Sequence, residues 1–326
     1  MAKSKKLSPA QLLGTLSFHQ ALLADTRRNR AFHRALAARV RPGHAVLDIG
    51  AGSGIWAVVA ARLGARRVVA VEREPLLQPV IEGLARENGV GDRVEVVCAD
   101  ARRLELPRGF DVVVSETVGV EAFDEGIIAL MERARERFLR PGGALVPESV
   151  ALRAAPAAPF DPGQLSPSLV AAESFASLAR HVPRGVIPER LRTLGPSRER
   201  LRVDLRTARS NAPRPRARAR FRVGDGRAVG GVAVWVDMGL ARGVALQTRH
   251  GTTWTPMFLP VDPLPRGPGR LSLELDWNVA RRRWHVEFEG DGGARHAGDH
   301  SPLFAWGVVR PALARRRAPG SKRGRR

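Results

Sequence analysis

Val46-Leu47-Asp48-Ile49-Gly50-Ala51-Gly52-Ser53-Gly54 reads as a short buried strand that breaks into a glycine turn, with residues 55–63 following as a helix. Glycine lets backbone turn tightly and come close to a ligand with no Cβ in the way, and the helix N-terminus behind such a turn favours anionic groups. Outward from this stretch the alternation repeats. Strands are expected over residues 67–72, 93–98, 110–115 and 144–146, and helices over 75–88 and 125–139. Pro75 is tolerated near a helix start. Strands alternating with helices predict a parallel, doubly wound α/β sheet of the Rossmann-like kind. The first forty residues read as helical: Leu12, Leu13, Leu16, Ala21, Leu22 and Leu23 fall on or near one face, and Phe32, Leu36 and Ala37 repeat the spacing.

From Val150 the pattern changes. Residues 201–205, 229–236, 271–275 and 284–288 alternate as half-buried strands do, between Pro and Gly turns, which predicts a second, antiparallel β domain. A helical excursion is expected within it over residues 165–181. The chain thus divides into N-terminal helices (1–40), a nucleotide-type domain (41–149), a β domain (150–310) and a basic tail (311–326) without apolar pattern, expected to be disordered.

The 326 residues suffice for two packed cores, and no run of eighteen apolar residues suggests a membrane span. The N-terminus lacks the apolar run of a secretory signal, so the cytoplasm is the expected compartment. Cys98 is the single cysteine, which excludes an internal disulfide and a cysteine metal cluster; it is expected to be inert packing at the end of a buried strand. The formal charge of +22 is uneven: residues 1–150 carry 22 Lys and Arg against 18 Asp and Glu, residues 151–326 carry 32 against 14. Residues 206–222 hold seven arginines and no acid, and 311–326 seven basic residues and no acid. Such blocks can attract nucleic acid, although the rarity of lysine and lack of tyrosine fit a compositional bias as well.

A glycine turn alone also suits a dinucleotide or a plain structural turn. The following strands sharpen it. Glu72 ends the second strand eighteen residues after Gly54, where a carboxylate can accept both ribose hydroxyls. Asp100, with Ala101 behind it, follows the third, where it can accept from an adenine amino group. Carboxylates at the ends of successive strands converge on the switch-point crevice. The spacing here is Gly-x-Gly-x-Gly, not the Gly-x-Gly-x-x-Gly of dinucleotide folds.

These residues resemble the class I S-adenosylmethionine-dependent methyltransferases, and residues 10–290 resemble the protein arginine methyltransferase family, which adds a C-terminal β-barrel. The resemblance implies S-adenosylmethionine as cofactor, held by Asp48, Gly50, Gly52, Gly54, Glu72, Asp100 and Ala101. The stretch His19-Gln20-Ala21-Leu22-Leu23-Ala24-Asp25-Thr26-Arg27-Arg28 is similar to the family's helix over the cofactor. It implies that Arg28 pairs with the methionine carboxylate and that Asp25 lies on a proton-release path; alone, an Asp and an Arg three apart are more often a surface pair. Phe110-Asp111-Val112-Val113-Val114-Ser115-Glu116 with Glu125 nine residues on matches the family's paired glutamates. A guanidinium is cationic and a poor nucleophile; two carboxylates can draw its charge to one side and free the other nitrogen to attack. Glu116, Glu121, Asp124 and Glu125 form a stretch free of basic residues, which a solvated acidic loop would also explain.

Thr252-Thr253-Trp254 resembles the family's Thr-His-Trp loop, implying that Trp254 and Thr253 border the acceptor. Thr253 replaces the histidine, so no Asp–His pair with Asp25 forms. Pro9-Ala10-Gln11-Leu12-Leu13 replaces the family's tyrosines, and Leu22 and Ile127 stand where some members keep methionines. The family's dimerisation arm falls on residues 163–190, implying a homodimer. A small-molecule or other peptide acceptor is the alternative. Nucleic-acid methylation is disfavoured by Ser115-Glu116-Thr117-Val118, which lacks the Asn/Asp-Pro-Pro-aromatic motif of adenine amino-methylating enzymes.

Overall fold

The computed structural model describes residues 9–119, 121–159, 191–211, 216–224, 228–254, 256–261, 267–276 and 283–300. The helical arm and basic tail expected from the sequence lie outside them.

Five strands, β1 (Ala45–Ile49), β2 (Arg67–Glu72), β3 (Val94–Cys98), β4 (Phe110–Ser115) and β5 (Leu139–Val146), form one parallel sheet in the order β3-β2-β1-β4-β5. Val46, Leu47, Val69, Val71, Val113 and Val114 are buried, as near-continuous apolar runs require when a sheet is covered on both faces. Order reverses at β1, with β2 on one side and β4 on the other. Ile49 lies in register with Val71 and with Ser115, so Gly50, Glu72 and Glu116 leave the sheet at one level. That is the switch-point crevice.

Four local expectations are corrected. Cys98 is exposed, because β3 is an edge strand with a neighbour on one side alone. The helix expected over 125–139 is shorter: α5 spans Ile127–Arg133, a π-turn covers Ala134–Phe138, and β5 begins at Leu139. Gly126, at φ +85°, caps α5 in the left-handed region and leaves Glu125 in the loop before it. The helix expected from Pro75 starts with a 3-10 turn, and α4 spans Gln78–Glu87. The helix after the glycine turn, α3 (Ile55–Arg62), ends one residue early.

Two helices precede the sheet, α1 (Pro9–Ala24) and α2 (Thr26–Arg39). Phe32 of α2 stacks on Trp56 of α3 at 4.7 Å, and Leu36 is fully buried. α1 behaves otherwise. Leu13 is 65% exposed, and Leu16, Phe18 and Leu23 are exposed as well. Its apolar residues are spread around the axis, so no single stripe buries them all.

The second half is antiparallel. β6 (Ser149–Ala157), β7 (Arg198–Asp204), β9 (Gly231–Ala241) and β10 (Val244–Gln247) form a sheet in the order β10-β9-β6-β7, with β11 (Met257–Pro260) also on β9. β8 (Arg216–Val223), β12 (Gly269–Asp276), β13 (Arg283–Gly290) and β14 (Arg295–His300) form another, in the order β14-β13-β12-β8. The arginine-rich stretch meets acids from elsewhere: Arg206 pairs with Asp204, Arg209 with Glu132 and Glu136, Arg218 with Glu274, and Arg222 with Asp291. Arg135 donates to the carbonyls of Leu205 and Ala208 at 2.7 and 2.8 Å, tying the two halves together. No helix among the described residues is long and apolar enough to cross a membrane.

Candidate active site

The glycine turn is tight on both sides. Gly50 and Gly52 have φ of +71° and +57°. A Cβ on Gly50 would lie 2.7 Å from Cγ2 of Thr117, and one on Gly52 2.7 Å from Cε1 of His19. The turn is therefore enclosed by the loop leaving β4 and by α1. Glu72 is held in the crevice by two backbone amides, accepting from Gly52 and from Glu74 at 2.9 Å each. Asp48 is fully buried and neither carboxyl oxygen has a hydrogen-bond partner. Burial pushes its pKa up to about 8, the charges of Glu72 and Glu116 adding to the shift. The Ala57 amide, in the first turn of α3, draws in the other direction but completes no hydrogen bond.

Asp100 stands at the outer end of the crevice, beyond β3, with Ala101 buried behind it. Arg102 grips both carboxylate oxygens, its Nε at 2.9 Å and an Nη at 2.6 Å. Those bonds hold the Asp100 pKa down at about 2.

On the other side the two N-terminal helices and the β4 loop meet. Asp25 caps α2: its Oδ1 accepts from the Arg28 amide at 2.8 Å, while Oδ2 accepts from the amide and hydroxyl of Thr253 at 2.6 and 3.1 Å. Both Asp25 and Arg28 are buried, so they are not a surface pair. Arg28 lies over the Trp56 ring at 5.0 Å and forms an ion pair with Oε2 of Glu116. Its Nε has no partner. Glu116 is raised above the usual carboxylate range by burial, which Arg28 opposes. Glu125 is exposed at its surface, yet the protein packed around it pushes its pKa up to about 7, desolvation first and then the charges of Asp124 and Glu116, with Arg73 opposing. Trp254 is buried, and its indole N–H donates to the carbonyl of Val118, between the two glutamates, at 2.6 Å.

The fold thus gathers Asp25, Arg28, Asp48, Glu72, Glu116, Glu125, Thr253 and Trp254 around one crevice, with Asp100 at its end. Sequence reasoning left His19 and Arg73 without a role. His19 shields Gly52, and its pKa is lowered by burial and by Arg28, against the pull of Glu72. Its place one helical turn and more ahead of Asp25 was the available signal.

Residues 46–143 match the family model described as a methyltransferase domain. An "Arginine N(omega)-methyltransferase" of Streptomyces achromogenes subsp. streptozoticus is 32% identical over 277 residues, 80% of this chain and 76% of that protein. The chain belongs to the protein arginine methyltransferase family. A "Protein arginine N-methyltransferase PRMT10" of Oryza sativa subsp. japonica is 37% identical over 142 residues, 43% of this chain and 37% of its own length. Two solved structures share the fold. The Trypanosoma brucei PRMT1 enzyme–prozyme complex with AdoHcy superposes with a TM-score of 0.72 at 17% identity, covering 87% of this chain and 97% of that one. Protein arginine methyltransferase 10 of Arabidopsis thaliana gives 0.69 at 19% identity, covering 88% and 97%.

The crevice fits the family's cofactor, S-adenosylmethionine. The orphaned Asp48 carboxyl and the spare Nε of Arg28 suit the ammonium and carboxylate of its methionine part, and the anchored Glu72 carboxylate suits ribose hydroxyls.

Proposed function

We propose that this chain transfers the methyl group of S-adenosylmethionine to a terminal guanidinium nitrogen of arginine in a protein or peptide. One observation carries the reading: two carboxyls with raised pKa values, Glu116 largely covered and Glu125 open to solvent, belong to one loop against the glycine turn. The cofactor supplies an electrophilic methyl on a sulfonium. Arg28, Asp48, Gly50, Gly52, Gly54, Glu72, Asp100 and Ala101 hold it, under a lid formed by residues 1–40. The Arg28 ion pair runs through Oε2 of Glu116, which leaves Oε1 for the acceptor. Glu116 and Glu125 grip the guanidinium, polarise it and orient its free nitrogen for in-line attack, where placement supplies much of the rate. Methylation releases a proton, and a Glu125 carboxylate with a pKa of about 7 accepts it. Residues 150–310 present Thr253 and Trp254 to the loop. The enzyme works in the cytoplasm as a homodimer, joined through the arm at 163–190, and nucleic acid is not its primary partner.

A second reading has its own support. The relative aligned over most of this chain is named for arginine without reference to protein, whereas the rice protein arginine methyltransferase aligns over less than half. Free arginine is that reading's acceptor. Incubation with methyl-labelled S-adenosylmethionine and either an arginine-rich peptide or free L-arginine separates them. Label in the peptide is the expected result; label in free arginine alone selects the second reading. Label in neither defeats both.

A further inference from the structure

The loop 252–254 of the β half reaches across to both walls of the crevice. Through Trp254 it meets the backbone of the glutamate-bearing loop, Nε1 donating to the Val118 carbonyl at 2.6 Å. Through Thr253 it meets the lid, by amide and hydroxyl on Asp25. Arg27 of α2 adds a third tie, donating to the carbonyl of His250 at 3.0 Å. Val118 stands two residues after Glu116 and seven before Glu125, in a stretch with no regular secondary structure to fix it. Ser115 and Thr117 anchor the start of that stretch, Ser115 Oγ donating to the Ile49 carbonyl and lying 2.9 Å from the Thr117 hydroxyl. Beyond Thr117, the indole bond is a side-chain tether on the backbone between the two carboxylates.

We propose that Trp254 is a positioning residue that sets the placement of Glu125 relative to Glu116 by hydrogen-bonding the Val118 carbonyl, and that Thr253 is its counterpart for the lid, holding Asp25 and through it Arg28. This rests on the acceptor reading above. The physical grounds are the burial and direction of the two contacts. A buried carbonyl deprived of its donor leaves the loop free to seek another partner, and a displacement of about 1 Å at a reacting group can cost on the order of a hundredfold in rate. Asp25 has its donors from backbone and hydroxyl, so it serves the lid as an acceptor that caps α2.

Trp254→Phe keeps an aromatic ring and removes the donor. The expected result is a fall in kcat/KM for the acceptor of roughly ten- to a hundredfold, with S-adenosylmethionine affinity by calorimetry unchanged. The acidic limb of the kcat/KM profile should also move to lower pH, because a loosened loop carries Glu125 away from the Glu116 charge that helps to raise its pKa. Thr253→Val removes the hydroxyl and is expected to weaken cofactor binding, and Thr253→Ser to restore it. Circular dichroism and thermal unfolding check that each variant is folded. Wild-type acceptor kinetics in a folded Trp254→Phe enzyme would overturn the proposal, as would parallel losses of acceptor turnover and cofactor affinity. A wild-type enzyme that binds the cofactor but methylates no arginine would instead sink the acceptor reading, a separate failure.

Discussion

At the scale of single residues, the site is a problem of several carboxyls crowded into one crevice. Glu125 must be ionised to hold a guanidinium, and its pKa of about 7 lies above the ordinary carboxylate value. Acceptor binding is therefore lost as pH falls through about 7, so kcat/KM at saturating cofactor should rise with an acidic limb near that value. Glu125→Gln should flatten the limb and lower the rate by at least a hundredfold, on the scale of losing one preorganised electrostatic contact. A profile with no inflection between pH 5 and 8 would oppose this. Asp48 gives a stability test with the opposite direction of pH. Its folded pKa of about 8 exceeds its unfolded value, so the fold loses stability as pH rises through the range between them. Asp48→Asn removes that dependence. Without ligand, its unfolding midpoint should exceed the wild type's at pH 8, by an equivalent of a few kcal/mol at most, and the gap should close toward pH 4.

At the scale of elements, the glycine turn and the lid depend on each other. Gly52→Ala adds a Cβ against His19 in a left-handed backbone, costing about 1 kcal/mol of strain alone. Because His19 has to move, cofactor affinity should fall about tenfold or more, while the sheet, whose register does not involve Gly52, stays folded. Titration calorimetry beside circular dichroism checks both halves of that statement. The elements also show where sequence reading stops. The strands of the parallel sheet were legible because each is an apolar run bounded by turn residues. α5 was overextended because Ala134–Phe138 keeps a helical pattern in a π-turn, and Gly126 marks a break that periodicity overlooks. Cys98 is exposed despite its apolar run, because strand order decides which strand lies at the edge.

At the scale of the whole molecule, part of the basic stretch is paired with acids inside the fold. Arg206, Arg209, Arg218 and Arg222 have acidic partners, and three of the four reach acids far along the chain: Glu132 and Glu136, Glu274, and Asp291. The homodimer belongs to this scale too. Sedimentation equilibrium at micromolar concentration should give twice the chain mass of 35.4 kDa, and a monomer there would remove the proposed arm contact. By itself the sequence determined the nucleotide-type sheet, the antiparallel half and the acidic residues at strand ends, because apolar periodicity and turn residues act within a few residues of one another. Tertiary structure alone decided that Arg28 rests on Glu116, that Thr253 holds Asp25 and that Trp254 holds Val118. Those contacts join residues 88, 228 and 136 positions apart. No local pattern encodes such a distance; the packing of two separately patterned halves creates it.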